Sequence, residues 1–294
     1  MRSLPPDRPP EVPARGPWHP APLIRGSVAL HVAAAALAMV RPNWWPWALG
    51  AVLADHGLLA AAGLWPRSCL LGPNWTHLPA PSAAARAVAL TIDDGPDPEV
   101  TPRVLDLLAE HGASATFFCI GERVERHPQL ARAIVARRHE IGNHSHRHLG
   151  YFSLLGPRGL ALEIGRAQQA IAQTTGEVAH FFRAPAGLRN PFLEPVLARA
   201  NLRLASWTRR GFDTVTPSAE RVLARLTHGL GGGDILLLHD GHAARTRDGT
   251  PVILSVLPRL LAALSAAQLT PVTLARALAP AAIRPAESIA AETP

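Results

Sequence analysis

The chain has 294 residues, of which 48% are apolar and 17% charged, so it can bury a large core and is not a disordered protein. All 29 basic residues are arginines, against 22 acidic residues, which excludes mechanisms that use a Schiff-base lysine or a phosphate-loop lysine. Two cysteines, Cys69 and Cys119, cannot build a disulfide framework or a zinc site made of cysteines alone. The arginines are spread along the chain with no run interleaved with aromatic residues, so we expect no nucleic-acid partner.

The N-terminal part of the chain divides into a tail and an apolar segment. Residues 1–22 are rich in proline and predict a flexible tail. Residues 23–66 hold two apolar stretches, 26–40 and 44–65, and the second reaches the roughly 20 residues that span a bilayer. Tryptophans near its ends are typical of an interfacial belt. We therefore expect residues 23–66 to associate with a membrane as an anchor, with an apolar helical hairpin packed on the soluble domain as the alternative.

The same segment predicts the localisation. We expect a protein of the inner (cytoplasmic) membrane rather than a secreted one, because a long tail precedes the apolar segment and no clean cleavage site follows it. Arginines ahead of the first stretch favour a cytoplasmic N-terminus. If both stretches span the membrane, the rest of the chain is cytoplasmic, and if only one spans, the rest lies outside. The side of the membrane therefore stays open.

From residue 88 onward, apolar runs of strand length alternate with helical patterns. Residues 67–87 predict a linker, residues 88–275 the alternating domain and residues 276–294 a flexible tail. We predict strands at residues 88–92, 115–120, 140–143, 180–183, 203–207, 234–238 and 271–274, and helices at residues 97–110, 129–138, 158–174, 191–200, 218–230 and 251–266. This alternation favours an α/β fold, a distorted (β/α) barrel of about seven parallel strands, preceded by the apolar helical segment.

Polar side chains follow five of the predicted strands, and in such a barrel the chemistry gathers at the carboxyl ends of the strands. Asp93 and Asp94 are neighbours on extended backbone, where one carboxylate can bind a cation while the other faces a substrate. Together with an aspartate, His144 and His148 form a set of two imidazoles and one carboxylate. That set is typical of catalytic zinc sites, and it can also bind other divalent ions. The alternatives are an ordinary Asp-Gly-Pro turn and a histidine-rich surface loop.

Three further polar residues belong to this group. His239 follows an apolar strand and, when charged, can protonate a leaving amine, although a structural histidine is the alternative. Arg183 could orient a carboxylate and hold it ionised, or lie at the surface. Asp213 also lies at a predicted strand end.

Four short motifs, in this order, resemble those of the polysaccharide deacetylase family, the NodB-homology group of carbohydrate esterase family 4. They are Thr91-Ile92-Asp93-Asp94-Gly95-Pro96, His144-Ser145-x-x-His148, Arg183-x-Pro185-x-Gly187 and Leu236-x-x-His239-Asp240. The resemblance implies a distorted (β/α) barrel, a divalent metal ion that is usually zinc, and hydrolysis of acetyl groups on sugars.

The resemblance also implies roles for the residues of the first three motifs. Asp93 corresponds to the catalytic base that takes a proton from the attacking water, and Arg183 to the group that steadies this base. Asp94, His144 and His148 correspond to the metal ligands.

For the remaining positions, His239 corresponds to the general acid and Asp213 to the aspartate that tunes it. The backbone N–H near Ala186 would help to hold the oxyanion. Leu236 or Leu238 would line the pocket for the acetyl methyl group.

The chain departs from the family pattern at three positions. The family commonly has an aromatic residue where Ala186 stands, and an acidic residue and a tryptophan where Arg210 and Thr214 stand. These side chains shape the sugar cleft, so we expect a substrate other than long chitin-like or peptidoglycan chains.

We therefore expect a metal-dependent hydrolase that removes N-acetyl or related acyl groups from an N-acetylated carbohydrate, either a cell-envelope glycan or a lipid-linked sugar. The bond it cleaves would be a carbon–nitrogen bond other than a peptide bond. The alternatives are a deformylase of a lipid-linked amino sugar, a non-catalytic carbohydrate-binding module on the same barrel, and a scaffold protein that acts through its apolar segment.

Overall fold

A computed structural model describes residues 12–278 of the chain. Two helices come first, α1 (Pro22–Val40) and α2 (Trp45–Leu64), joined by a 3-10 turn at Pro42–Trp44. Both are long and apolar enough to cross a membrane by length and composition. Between them, the Ser27 hydroxyl donates to Asp55 Oδ2 over 2.6 Å. We call α1 and α2 the N-terminal hairpin.

A sheet of parallel strands surrounded by helices follows the N-terminal hairpin. The strands are β1 (Ala87–Asp93), β2 (Thr116–Cys119), β3 (Glu140–Asn143), β4 (Phe181–Phe182), β5 (Arg203–Leu204), β6 (Arg209–Arg210), β7 (Ile235–His239) and β8 (Thr270–Val272). The helices are α3 (Ala80–Ala84), α4 (Thr101–Glu110), α5 (Gly121–Arg126), α6 (Pro128–Ala136), α7 (Pro157–Thr175), α8 (Leu193–Arg199), α9 (Ala219–Thr227), α10 (Val252–Ala266) and α11 (Leu274–Ala277).

The strand order is β5-β4-β3-β2-β1-β7-β6, with β8 also paired to β1. Every one of these pairings is parallel. The two ends of the sheet, β5 and β6, belong to one continuous segment, which pairs with β4 at Leu204 and with β7 at Arg209. The strand run therefore curves back on itself, and the predicted fold, a distorted (β/α) barrel, is confirmed.

The sheet separates two apolar layers, because successive side chains of a strand point to opposite faces. In β1, Leu90 and Ile92 pack in the large outer core under the helices, whereas Ala87 and Ala89 belong to a smaller inner cluster. The small inner residues leave room inside the barrel, and the bulky outer ones bury the apolar faces of the helices.

Several predicted boundaries differ from the structure. Helix α4 begins at Thr101 rather than residue 97, because the Asp97 carboxylate accepts hydrogen bonds from the backbone N–H groups of Glu99 and Val100 and so caps the preceding turn. The expected linker, residues 67–87, contains helix α3 and lies against the barrel, where the Ser82 hydroxyl donates to the Ala277 carbonyl.

Residues 1–11 of the predicted N-terminal tail and residues 279–294 of the predicted C-terminal tail lie outside the described residues. Of the N-terminal tail, Arg15 forms an ion pair with Glu194 of α8, and the Pro13 carbonyl accepts a hydrogen bond from Arg203. Residues 13–15 are therefore held on the barrel rather than free.

Candidate active site

The carboxyl ends of β1, β3 and β7 and the loop after β4 surround a cavity of about 250 Å³. We call it the catalytic cavity. Six of the residues to which the resemblance assigns a role line it: Asp93, Asp94, His144, His148, Ala186 and His239. These residues are far apart in the chain, and the parallel sheet brings them together because it collects strand ends at one edge.

One carboxylate and two imidazoles converge at the floor of the catalytic cavity. Asp94 Oδ1 lies 3.2 Å from His144 Nε2 and 3.3 Å from His148 Nε2. The neighbouring Asp93 lines the same cavity, although adjacent residues on extended backbone would point apart. Asp94 has a left-handed backbone with φ of 73°, which turns the chain at the end of β1 and directs both carboxylates inward.

The chemistry of these three side chains fits a divalent cation. Asp94 Oδ1 is buried and accepts no hydrogen bond within the described part of the chain. His144 donates from Nδ1 to the Arg183 carbonyl over 2.9 Å, so in the neutral ring it is Nε2 that carries the free lone pair. Burial and the neighbouring His144 lower the pKa of His148 to about 4, which keeps that ring neutral, as a ligand must be.

The charge of the carboxylate also suits a cation. Burial disfavours the ionised form of Asp94, but its interactions with His144 and His242 outweigh this effect and hold its pKa well below the usual value. His242 Nδ1 lies 3.3 Å from Asp94 Oδ2. Sequence reasoning missed His242, and its only signal was its position three residues after His239.

A tight loop, not a helical turn, presents the two histidines. The backbone is left-handed at Ser145 and His148. The Ser145 backbone N–H donates to Asn143 Oδ1, and the Ser145 hydroxyl oxygen accepts a hydrogen bond from the His148 backbone N–H. The intervening His146 points away from the site, with its Nε2 4.0 Å from Glu125.

Arg183 holds Asp93 in place. Its Nη1 donates to Asp93 Oδ1 over 2.6 Å and to Thr91 Oγ1 over 2.8 Å. Its other nitrogens donate to the carbonyls of Ala205 and Ser206, so a fully buried guanidinium is anchored from several sides. Asp93 Oδ2, which lies 3.8 Å from His144 Nε2, is left as the oxygen available to a reacting group.

Asp213 binds His239 at two points. One carboxylate oxygen accepts from His239 Nδ1 over 2.8 Å, and the other accepts from the His239 backbone N–H over 2.7 Å. Burial disfavours the charged ring, but Asp213, with further contributions from Asp93 and Asp94, raises the pKa of His239 to about 9. The imidazole therefore carries a proton at neutral pH.

The structure corrects the expectation for the leucines of β7. Leu236 and Leu238 lie in the outer core under the helices, whereas Leu237 lines the catalytic cavity. His239 faces the cavity, and side chains on a strand alternate, so Leu237 is on the same face as His239. Ala186 lines the cavity as expected, with a left-handed backbone at φ 55°.

A second group of possible ligands lies in the N-terminal hairpin. His31, Asp55 and His56 each offer a ligand atom within 4.8 Å of the others. No resemblance or motif singled out this group in the sequence.

The barrel and its motifs have relatives among known proteins. A family model described as polysaccharide deacetylase matches residues 80–205. A peptidoglycan-N-acetylglucosamine deacetylase of Bacillus cereus is 36% identical over 177 residues, which cover 60% of this chain and 82% of the relative. A chitooligosaccharide deacetylase of Sinorhizobium fredii is 36% identical over 165 residues, which cover 56% of this chain and 76% of the relative. The solved structure of a family 4 carbohydrate esterase from Streptomyces lividans, in complex with acetate, matches with a TM-score of 0.57 and 32% identity over 63% of this chain and 91% of that chain.

Proposed function

Because the chain belongs to the polysaccharide deacetylase family and is a hydrolase of non-peptide amide bonds, we propose that it removes N-acetyl groups from a cell-envelope sugar with the help of a bound divalent cation. The observation that carries this proposal is the convergence of Asp94, His144 and His148 beside Asp93 and His239 in one cavity. The family model matches from residue 80, the first residue of helix α3, which supports a catalytic domain that begins ahead of residue 88.

Asp94, His144 and His148 would hold the cation, and their two nitrogens and one oxygen favour zinc. Such an ion lowers the pKa of a water molecule towards about 7 and polarises the amide carbonyl.

Asp93 and His239 divide the proton transfers between them. Asp93 Oδ2 accepts a proton from the attacking water while the oxygen of that water forms a bond to the amide carbon. His239, charged at neutral pH, donates a proton to the amide nitrogen as the carbon–nitrogen bond breaks. The products are acetate and a free amine on the sugar, and exchange with solvent returns both residues to their starting states.

Other residues position these groups. Arg183 and Asp213 orient the base and the acid, as their short hydrogen bonds indicate. The Ala186 backbone N–H would donate to the oxyanion, and one such donor contributes about 3–4 kcal/mol in comparable sites. Leu237 takes the place on the cavity wall that was expected for Leu236 or Leu238.

We propose that residues 23–66 hold the enzyme at the inner membrane. Helix α2 has 20 residues and is therefore about 30 Å long, which matches the hydrocarbon thickness of a bilayer. Its ends carry exposed tryptophans, Trp45 and Trp47 at one and Trp65 at the other.

The function is tested with the full chain purified in detergent and loaded with zinc. Acetate release is measured from N-acetylated oligosaccharides, and formate release from the N-formyl analogues. We expect acetate release that stops when a chelator removes the metal and returns when zinc is restored. Formate release alone would support a deformylase instead, and sugar binding without any hydrolysis would support a carbohydrate-binding module.

A further inference from the structure

The end of the N-terminal hairpin is joined directly to the wall of the catalytic cavity. Arg189 N–H donates to the Gly63 carbonyl over 3.1 Å, and the Pro66 carbonyl accepts from the Ser206 hydroxyl over 2.6 Å. A Cβ on Gly187, which lines the cavity, would lie 2.7 Å from Pro66. The hairpin and the cavity wall are therefore in close contact through short-range packing.

If the N-terminal hairpin lies in a membrane, this contact fixes the position of the cavity relative to that membrane. Trp65 directly follows the last residue of α2, is 61% exposed and immediately precedes Pro66. If α2 spans the bilayer, Trp65 marks the interface on the side of the barrel. Gly187 in the cavity wall contacts Pro66, the residue next to Trp65. In that case the catalytic cavity lies close to the lipid headgroups.

An unpaired cation lines the same cavity. The Arg210 guanidinium makes no hydrogen bond or ion pair within residues 12–278, and its buried Nε lacks an acceptor. It stacks 5.4 Å from the ring centroid of Trp207 and 4.9 Å from that of Phe212. These rings hold the guanidinium in the cavity and offer it no anion.

The contacts place this cation on the hairpin side of the cavity. Pro66 and Trp207 meet at Gly187, since a Cβ there would be 2.7 Å from one and 2.6 Å from the other. Arg210 stacks on that same Trp207. The order of contacts from the end of the hairpin inward is therefore Pro66, then Trp207, then Arg210.

The Nε of Arg210 is buried without an acceptor, which is costly, and the planar fork of N–H donors of a guanidinium matches a phosphate. In a lipid-linked sugar phosphate, the phosphate joins the lipid tail to the sugar, so it comes between the membrane and the acetamido group. We propose that the substrate is such a glycolipid and that Arg210 binds its phosphate. This inference rests on the proposed function and narrows its substrate class.

The test compares three substrates with the full, zinc-loaded chain in phospholipid vesicles. They are polyprenyl-phosphate-linked N-acetylglucosamine, the same polyprenyl chain linked to N-acetylglucosamine without phosphate, and water-soluble N-acetylglucosamine 1-phosphate. We expect kcat/KM for the first to exceed that for each of the others at least tenfold. Arg210→Gln should reduce the preference for phosphate over the neutral lipid about tenfold or more, and Arg210→Lys should restore part of it.

Arg225→Gln is the matched control. Arg225 also stacks on Phe212, at 5.4 Å, but its guanidinium donates to Gly211 and Thr216, and it does not line the cavity. This variant should keep the wild-type preference. Equal kcat/KM for the phosphorylated and neutral lipids, or an unchanged preference in Arg210→Gln, would overturn the phosphate assignment. Equal kcat/KM for the lipid-linked and soluble phosphates would overturn the membrane part. In each case deacetylation itself is still observed, whereas deacetylation of no substrate would reject the proposed function.

Discussion

The Nδ1 atom of His144 donates to the backbone carbonyl of Arg183, over 2.9 Å, and the side chain of that arginine binds Asp93. Arg183 therefore orients a proposed metal ligand with its backbone and the proposed base with its side chain. Ligand and base are coupled through one residue at the end of β4, which explains how a strand of only two residues can organise the site.

Replacement of His144 tests the proposed ligand set. His144→Ala removes one of three ligands, so we expect zinc affinity to fall by about 100-fold or more, beyond the 10–100-fold cost of losing an outer partner of a ligand. Zinc affinity is measured by competition with a chelator. The value is compared with that of the wild type, because His31, Asp55 and His56 could bind a second ion in both proteins. His146→Ala is the control, since that ring points away from the site. Full zinc affinity in His144→Ala would remove it from the ligand set.

The pH dependence tests the pairing of Asp213 with His239. His239, with a pKa of about 9, donates its proton at neutral pH and loses it as the pH rises through about 9, so kcat should fall on the alkaline side. Asp213→Asn removes the charge that raises this pKa. We expect the alkaline limb of the kcat–pH profile to move to lower pH, with kcat at neutral pH reduced at least tenfold. An unchanged alkaline limb would show that another group controls it.

The same shift predicts how stability depends on pH. A histidine whose pKa is raised in the folded protein binds its proton more tightly there than in the unfolded chain, where its pKa is about 6.5. The stabilisation from His239 is therefore complete below about 6.5 and is lost as the pH rises through about 9. Urea unfolding at pH 6 and pH 9.5 should show a larger loss of stability in wild type than in Asp213→Asn. Equal losses in the two proteins would contradict the assigned pair.

Substitutions of two leucines of β7 distinguish a residue that lines the cavity from one that packs in the core. Leu237→Phe fills the cavity, so we expect a higher KM with little change in the free energy of unfolding. Leu236→Ala leaves a void under the helices and should lower that free energy by about 2–5 kcal/mol without changing KM. Steady-state kinetics and urea unfolding measure both effects. A higher KM in Leu236→Ala, with no change of KM in Leu237→Phe, would show that Leu236 rather than Leu237 lines the pocket.

Much of the barrel can be predicted from sequence, because strands of a parallel sheet buried on both faces read as apolar runs separated by helical patterns. Glu140–Asn143 has the predicted bounds, whereas β4 and β5 are shorter than predicted. The two-residue strand β6 was missed, since pairing of so few residues depends on the neighbouring strand and leaves no periodic signal.

The grouping of polar residues at the strand ends could also be anticipated, but their surroundings could not. A strand that is apolar throughout, such as β7, does not show which face is inside, and the position of Leu237 follows only once His239 is known to face the cavity. His242 and the contact between Pro66 and Gly187 depend on loops whose course is determined by tertiary packing.

The most direct test of the central claim is zinc content and acetate release measured together on Asp93→Asn in the full chain. We expect wild-type zinc content and a fall in kcat of about 10²–10⁴-fold, because the ligands stay while the proton acceptor is lost. Asp106→Asn, a change at an exposed residue paired with Arg137, should retain both properties. Wild-type turnover by Asp93→Asn would contradict the account.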